Sequence, residues 1–289
     1  MQQYIDKINT LMESFPYIRE FYGKTIVIKY GGHAMKDERL IESFARDVSL
    51  LKLVGIKPII VHGGGPQIGS FVERLGKKNE FAGGMRVTDE ETMEIVEMVL
   101  SGALNKGIVN NINRSGCHAV GLSGKDGRLM TAEKMLVNHE GQMRDIGLVG
   151  TVVSVDPLIL QTLREKDFIP VIAPVAVDKN GVTLNINADI AAGKISEALK
   201  AEKLILLTDI EGVKIGGHLM STMTKNEVEK YIAQGEITGG MMPKVKCCLD
   251  AIDNGVAKTH IIDGRVEHAV LLEIFTDAGI GTEIVVGSE

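Results

Sequence analysis

An α/β fold, with helices layered on both faces of a mostly parallel sheet, is what the sequence predicts, and three observations carry it. Short, nearly continuous apolar runs recur along the chain: KTIVIKY (24–30), KPIIV (57–61), KLILLTD (203–209) and THIID (259–263). Runs of this length without polar alternation are strands buried on both faces. Between them lie stretches with helical periodicity, and strands alternating with helices imply parallel neighbours joined by crossovers. The architecture expected is therefore a three-layer αβα sandwich with a helical arm in front of it.

The arm comes first. Tyr4, Ile8, Leu11, Phe15, Ile18 and Tyr22 recur at steps of four and three, a narrow apolar stripe. Pro16 interrupts it and predicts a kink or two short helices. The stripe either packs on its own domain or docks on a second subunit. After the first strand, Leu40, Ile41, Phe44, Val48 and Leu51 mark the inner face of a helix across 36–53, and another helix follows Pro66. TDEETMEIVEMVL opens a further helix, with Thr88 as the expected N-cap and acids in the first turn. A second helix runs to about Asn113, and HAVGL (118–122) reads as a strand. The stretches 127–155 and 171–185 carry the turn signals of hairpins. The alternation then resumes with helices at 188–200, near 224–233, at 242–254 and from about 267, and a last strand at 282–286.

Composition narrows the partners. Of 289 residues 44% are hydrophobic and 24% charged, with a formal net charge of −6, so attraction to nucleic acid or to an anionic membrane is not expected. With no Trp and 4% aromatics there is little to stack on bases. Cys117, Cys247 and Cys248 lack metal-ligand spacing and read as thiols in a reducing cytoplasm. No leader peptide is apparent, and no run approaches the roughly 20 apolar residues of a membrane span.

In parallel sheets ligands gather at the carboxyl ends of the strands. The loops there are Lys29-Tyr30-Gly31-Gly32, then His62 with Gly63–Gly65, NINAD (185–189), and Thr208-Asp209 followed by IEGV. TGGMMPKV (238–245) adds a glycine pair before Lys244. Glycine amides cradle phosphate oxygens, helix starts point partial positive charge at them, and lysines from two halves of the chain would neutralise a phosphoryl group in transfer. GLSGKDG (121–127) is not a P-loop, because its glycine spacing is too short and Asp126 stands where Ser or Thr belongs. His62 reads as a strand-end residue.

With those loops in view the sequence resembles the amino-acid kinase family, and within it the acetylglutamate kinase branch. The matching segments are VIKYGG (27–32), VHGGGPQI (61–68), RVTD (86–89), GLSGKDG (121–127), IPVIAPV (169–175), NINADIAAG (185–193), LLTDIEGV (206–213) and GGMMPKV (239–245). The resemblance implies transfer of the γ-phosphoryl group of ATP, brought with Mg²⁺, to the side-chain carboxylate of N-acetyl-L-glutamate in arginine biosynthesis. It also implies Lys29 and Lys244 as transition-state clamps and Asp189 as the carboxylate that holds them. Gly64, Gly65, Arg86 and Asn185 would bind the acyl substrate, and Gly31, Gly32, Thr208, Asp209 and Gly212 the phosphates and nucleotide. No protein ligand for the metal is implied. The domain is expected to divide into an acyl-substrate lobe (23–185) and a nucleotide lobe (186–289). The alternatives are a kinase for a related acidic amino acid or carrier-bound derivative, or an inactive arginine-sensing homologue.

FYGK (21–24) and EHAVLLEIFTDAGIGT (267–282) are similar to the arginine-regulated members of this branch. The similarity implies an arm (1–22) that joins dimers into a hexamer. It further implies an arginine site at Lys203, Glu267, His268, Glu273 and Gly281. EHAVLLEIF also fits an ordinary amphipathic core helix.

Overall fold

The computed structural model describes residues 1–139, 141–277 and 279–287; the last two positions of the expected nucleotide lobe lie outside them. Eight strands form the central sheet in the order Thr222–Thr224, Thr282–Val285, Lys258–Asp263, Lys203–Thr208, Thr25–Tyr30, Lys57–His62, Ile169–Ala173 and Ala119–Ser123. Every neighbouring pair is parallel except Lys258–Asp263 with Thr282–Val285.

The middle strand shows why both faces must be covered. Val27 packs into one core, with Ile59, Leu204, Ala191, Ile195 and Val245, beneath helices Ala188–Leu199 and Met242–Asp253. Ile26 and Ile28 turn the other way, onto Phe44, Val48 and Ile274 of helices Glu38–Leu53 and Ala269–Phe275. Successive side chains of a strand point to opposite faces, so an unbroken apolar run serves two layers. Burying each such branched side chain contributes roughly 1.5–3 kcal/mol. The expected sandwich is present.

Several local expectations need correction. Asp89, not Thr88, caps helix Glu90–Glu97, accepting from the Thr92 amide. The Thr88 hydroxyl instead donates to the Arg86 carbonyl, and Thr88 bridges to Gly147. The two helices expected here are joined without a break: Glu90–Glu97 passes through the π-turn Met98–Leu104 into the α-helix Asn105–Arg114. The β-rich stretches are more than hairpins. Met130–His139, Gln142–Val155, Val175–Val177 and Thr183–Ile186 close into a small barrel, Ile169–Ala173 belongs to the central sheet, and helix Leu158–Glu165 lies between them.

The arm is two helices, Gln2–Glu13 and Phe15–Phe21, as Pro16 predicts. No residue of the first is buried; Tyr4, Ile8 and Leu11 are 57–66% exposed. The second is tied down by Phe21 in the core and by the Tyr17 hydroxyl on Asp277. Among the described residues, no helix is long and apolar enough to cross a membrane.

Candidate active site

Three elements bring their charged residues to one point. Lys29 is the only position of strand Thr25–Tyr30 that is not fully buried, and it stands near the strand's carboxyl end. Asn187 caps helix Ala188–Leu199 by accepting from the amides of Asp189 and Ile190. The carboxylate of Asp189 thereby sits in the first turn, where the helix dipole favours it. Lys244 lies in the first turn of helix Met242–Asp253, after the 3₁₀ turn Gly239–Met241. The two helices approach closely at Gly193, where a Cβ would lie 2.9 Å from the Cys247 sulfur, and the Cys247 thiol donates to the Asp189 carbonyl at 3.1 Å.

The result is one carboxylate between two ammonium groups. Lys29 Nζ is 3.0 Å from Asp189 Oδ1 and Lys244 Nζ 2.9 Å from Oδ2. Only the Lys244 contact has hydrogen-bond alignment; Oδ1 accepts no well-aligned bond and faces Lys29 as an ion pair. The side chains of Lys29, Asp189 and Lys244 are 11%, 12% and 20% exposed. Burial pushes the Asp189 carboxyl up, but the two ammonium groups outweigh it and hold the pKa at about 2. Replacing Gly193 with Ala should separate the helices and lower turnover without loss of fold, checked by kcat beside the melting temperature.

One cavity contains Lys29 and Lys244, and a second lies beside the triad against Ala188. The larger, about 740 Å³, is lined by Lys29, Gly32, Thr208, Asp209, Gly212 and Lys244, among others. The smaller, about 180 Å³, is lined by Gly63–Gly65, Arg86, Asn185 and Ala188 among others.

In the smaller cavity Arg86 is buried but accounts for only part of its donor set. It donates to the Gly65 carbonyl at 2.9 Å and to Asn79 Oδ1, and its guanidinium lies 4.8 Å from the Phe81 ring centre. Among the described residues no carboxylate is within ion-pairing distance of it. Burial lowers its pKa, opposed by Glu73. A fixed, unpaired guanidinium in a cavity of this size suits a ligand carboxylate. Asn185 Nδ2 is 3.3 Å from the Thr88 hydroxyl at the barrel edge. Asn187 belongs to NINAD and Asn79 to no motif; the sequence signals neither the helix cap of the one nor the Arg86 contact of the other.

In the larger cavity Asp209 has a different local partner than a nucleotide. It accepts from the His33 amide at 2.6 Å and packs against Gly32, whose φ of +70° admits no side chain easily. The loops after the strands Thr25–Tyr30 and Lys203–Thr208 are thereby tied together. Gly31 lies against the Lys29 ammonium, where a Cβ would come within 2.8 Å. The Thr208 hydroxyl bonds to the carbonyls of Ile210 or Ile262, at 3.0 and 3.3 Å, and shapes the loop.

Comparison with known proteins decides the family. The sequence profile of the amino acid kinase family matches residues 24–263. Acetylglutamate kinase of Geotalea daltonii is 60% identical, covering 98% of this chain and 99% of its own; that of Geobacter sulfurreducens is 59% identical over the same shares. The chain belongs to the amino acid kinase family, in its acetylglutamate kinase branch. Among solved structures, N-acetylglutamate synthase of Neisseria gonorrhoeae, complexed with coenzyme A and N-acetyl-glutamate, superposes with a TM-score of 0.84 at 25% identity. It covers 98% of this chain, which spans 64% of that longer protein. Carbamate kinase of Giardia lamblia bound to AMP-PNP shares the fold, with a TM-score of 0.67 at 17% identity over 92% of this chain and 99% of its own.

This amino acid kinase has a further cavity of about 310 Å³ where the arm meets the C-terminal segment. Tyr17, Glu20, Phe21, Lys203, Glu273 and Gly281 are among its lining. Lys203 Nζ stands 4.9 Å from the Phe21 ring centre, and burial lowers its pKa. Three of the five residues expected to bind an effector are therefore together; Glu267 and His268 are elsewhere. Glu267 is exposed. The His268 ring is 2.6 Å from Asp47, and its amide donates to Ser43 at 2.9 Å. Burial pushes the Asp47 carboxyl up to about 6 in spite of His268.

Proposed function

We propose that the chain transfers the γ-phosphoryl group of ATP to the side-chain carboxylate of N-acetyl-L-glutamate, in the cytoplasm, as a step of arginine biosynthesis. The single observation that carries this reading is Asp189 bridging Lys29 and Lys244 between two cavities of unequal size. ATP fits the larger cavity and the acyl amino acid the smaller. The acceptor is a carboxylate already ionised near neutral pH, so no general base is needed. One of its oxygens attacks the γ-phosphorus, and the bond from phosphorus to the β,γ-bridging oxygen breaks, releasing ADP. The chain's own part is positioning and charge: Lys29 and Lys244 oppose the negative charge on the migrating group, and Asp189 keeps both ammonium groups aimed. The Gly64 and Gly65 amides are donors toward the same group, Arg86 takes the substrate's α-carboxylate and Asn185 its polar flank. Phosphate oxygens and water would hold the Mg²⁺ that accompanies ATP; the lysine-and-amide set leaves those oxygens free to do so.

Coupled ADP release with N-acetylglutamate and with free glutamate tests the reading. Faster turnover of free glutamate would reassign the substrate. Arg86→Lys should raise KM for N-acetylglutamate about 10- to 100-fold, the range expected for losing charge-assisted bonds of about 1.5–3 kcal/mol, and leave KM for ATP near its starting value. A rise in both constants would take Arg86 out of the acyl site.

A regulatory reading rests on the third cavity. Glu20, Glu273 and Glu283 offer carboxylates to a guanidinium or ammonium group, and arginine is the ligand we propose. Exposed Tyr4, Ile8 and Leu11 on the first helix would dock on another subunit, in a trimer of dimers. Deleting residues 1–22 should yield dimers whose inhibition by arginine is weakened, read by light scattering and by rate. Intact hexamers after the deletion would remove the arm from assembly.

A further inference from the structure

The glycine triplet is held from behind by a buried polar chain that the mechanism above does not use. His62, the last residue of its strand, is fully buried. Its Nδ1 is 2.8 Å from the Gly63 carbonyl, and its Nε2 is 3.2 Å from Nδ2 of Asn105, also fully buried. The same Asn105 nitrogen faces the carbonyls of Val171 at 2.9 Å and Leu122 at 3.3 Å. Two carbonyl oxygens at that end of the amide require it to be the NH₂, since an amide oxygen there would meet acceptors only. His62 Nε2 thus faces a donor and must carry no proton. The imidazole proton is on Nδ1, and it is given to the Gly63 carbonyl.

That bond sets a direction. In a trans peptide the C=O and the following N–H point to opposite sides. With the Gly63 carbonyl fixed on the imidazole, the Gly64 N–H points away from it. The next peptide is fixed by Ile68, whose amide donates to the Gly64 carbonyl at 2.9 Å, so the Gly65 N–H points out of the helix start. Neither amide meets an acceptor among the described residues. The Gly63 amide is spent on the Tyr30 carbonyl at 2.8 Å and is no donor to a ligand. Glycine at position 64 also has a packing reason: a Cβ there would lie 2.5 Å from Leu100 Cδ2 and from Leu104 Cδ1, so both leucines would have to shift. Both leucines belong to the π-turn Met98–Leu104, and Asn105 follows it directly. Such turns are rare and gather at functional sites. This one presses on the triplet and delivers Asn105 to His62.

We infer that His62, held by Asn105 at the end of the π-turn, is the positioning residue that aims the Gly64 amide at the transferred phosphoryl group, an inference that rests on the kinase reading above. Burial holds the imidazole neutral, lowering its pKa to about 4; the Gly63 bond opposes this and the nearby Lys106 adds to it. The role therefore persists unchanged through the working pH range.

Two measurements test it. In the first, kcat and KM are determined for the parent, His62→Leu, His62→Asn, Asn105→Leu and the His62→Leu/Asn105→Leu double variant. His62→Leu should lower kcat about 10- to 100-fold, the range for a misplaced catalytic group, with KM for either substrate little changed. His62→Asn keeps a donor near the Nδ1 position and should recover most of the loss. The double variant should be no worse than His62→Leu, because Asn105 acts through His62. Undiminished turnover in His62→Leu, no recovery in His62→Asn, or losses that multiply in the double variant would overturn the inference.

The second measurement needs no activity. Long-range ¹⁵N–¹H spectra of histidine-labelled protein should show His62 as the neutral Nδ1–H tautomer from pH 5.5 to 8. An Nε2–H tautomer, or titration at the ordinary histidine pKa of about 6.5, would overturn it. A parent enzyme that does not turn over N-acetylglutamate would overturn the kinase reading alone, and the spectra would still decide the geometry.

Discussion

Replacing Lys244 with Met is expected to lower kcat about 10²- to 10³-fold, the usual cost of removing one donor aimed at charge in a transition state, while KM for N-acetylglutamate changes little. Lys29→Met should behave alike. Among the described residues each ammonium group has Asp189 as its one partner, 2.9 and 3.0 Å away, and a group with three donors keeps others free. A group held in this way is pre-set for a second anion, and its attraction grows as negative charge accumulates on the migrating phosphoryl oxygens. Interactions that strengthen only at that point raise kcat rather than affinity. Steady-state kinetics with both substrates varied make the distinction: a mutant whose loss appears wholly in KM would place that lysine in ground-state binding. The double mutant should lose less than the product of the two single losses, because removing one ammonium already loosens the carboxylate that aims the other.

The second large effect is expected for Asp189→Asn. The amide keeps the shape and removes the charge that lets two buried ammonium groups stand on either side of it. Their repulsion should turn one lysine away or drive off its proton, with a loss in kcat of at least about 10²-fold. The loss should deepen as pH rises, because a lysine without its counter-charge deprotonates at lower pH. A pH-independent deficit would mean that Asp189 only shapes the site. Stability carries a separate sign. The folded pKa of about 2 lies below the value of about 3.9 for an unfolded aspartate. The native state therefore gains from this carboxylate above about pH 4, an advantage on the order of 2–3 kcal/mol that is lost as pH falls toward 2. Acid denaturation of Asp189→Asn should lack that component, and a curve superimposable on the parent's would contradict the buried ion pairs.

The strands and the glycine loops were legible because they obey local rules. KTIVIKY and KLILLTD are apolar through their length, and such runs have few alternatives to the middle of a sheet. Lys29, Asp189 and Lys244 stand out at a strand end and two helix starts, with their roles implied by family likeness, but no local rule says that a carboxylate at 189 will sit between residues 29 and 244. That convergence is a product of topology. Other features were hidden for smaller reasons. Thr88 and Asp89 are both good caps, and the choice fell to Asp89 because the Thr88 backbone is bridged to Gly147. MVLSGAL reads as the junction of two helices, and nothing in it signals the π-helical turn that joins them and packs Leu100 and Leu104 on Gly64. Likeness to the arginine-regulated members groups His268 with Lys203, yet its backbone is left-handed, with φ of +58°, and its ring lies on Asp47.

The first helix, Gln2–Glu13, buries none of its own residues. A lone helix of twelve residues is marginal in water, so in the proposed assembly its order would be borrowed from the subunit that covers Tyr4, Ile8 and Leu11. Helicity of these opening residues is then a property of the solution as much as of the chain. If the proposed assembly forms, far-ultraviolet dichroism should fall on dilution in step with dissociation, before the main domain begins to melt; dichroism that is constant on dilution would remove the arm from the assembly.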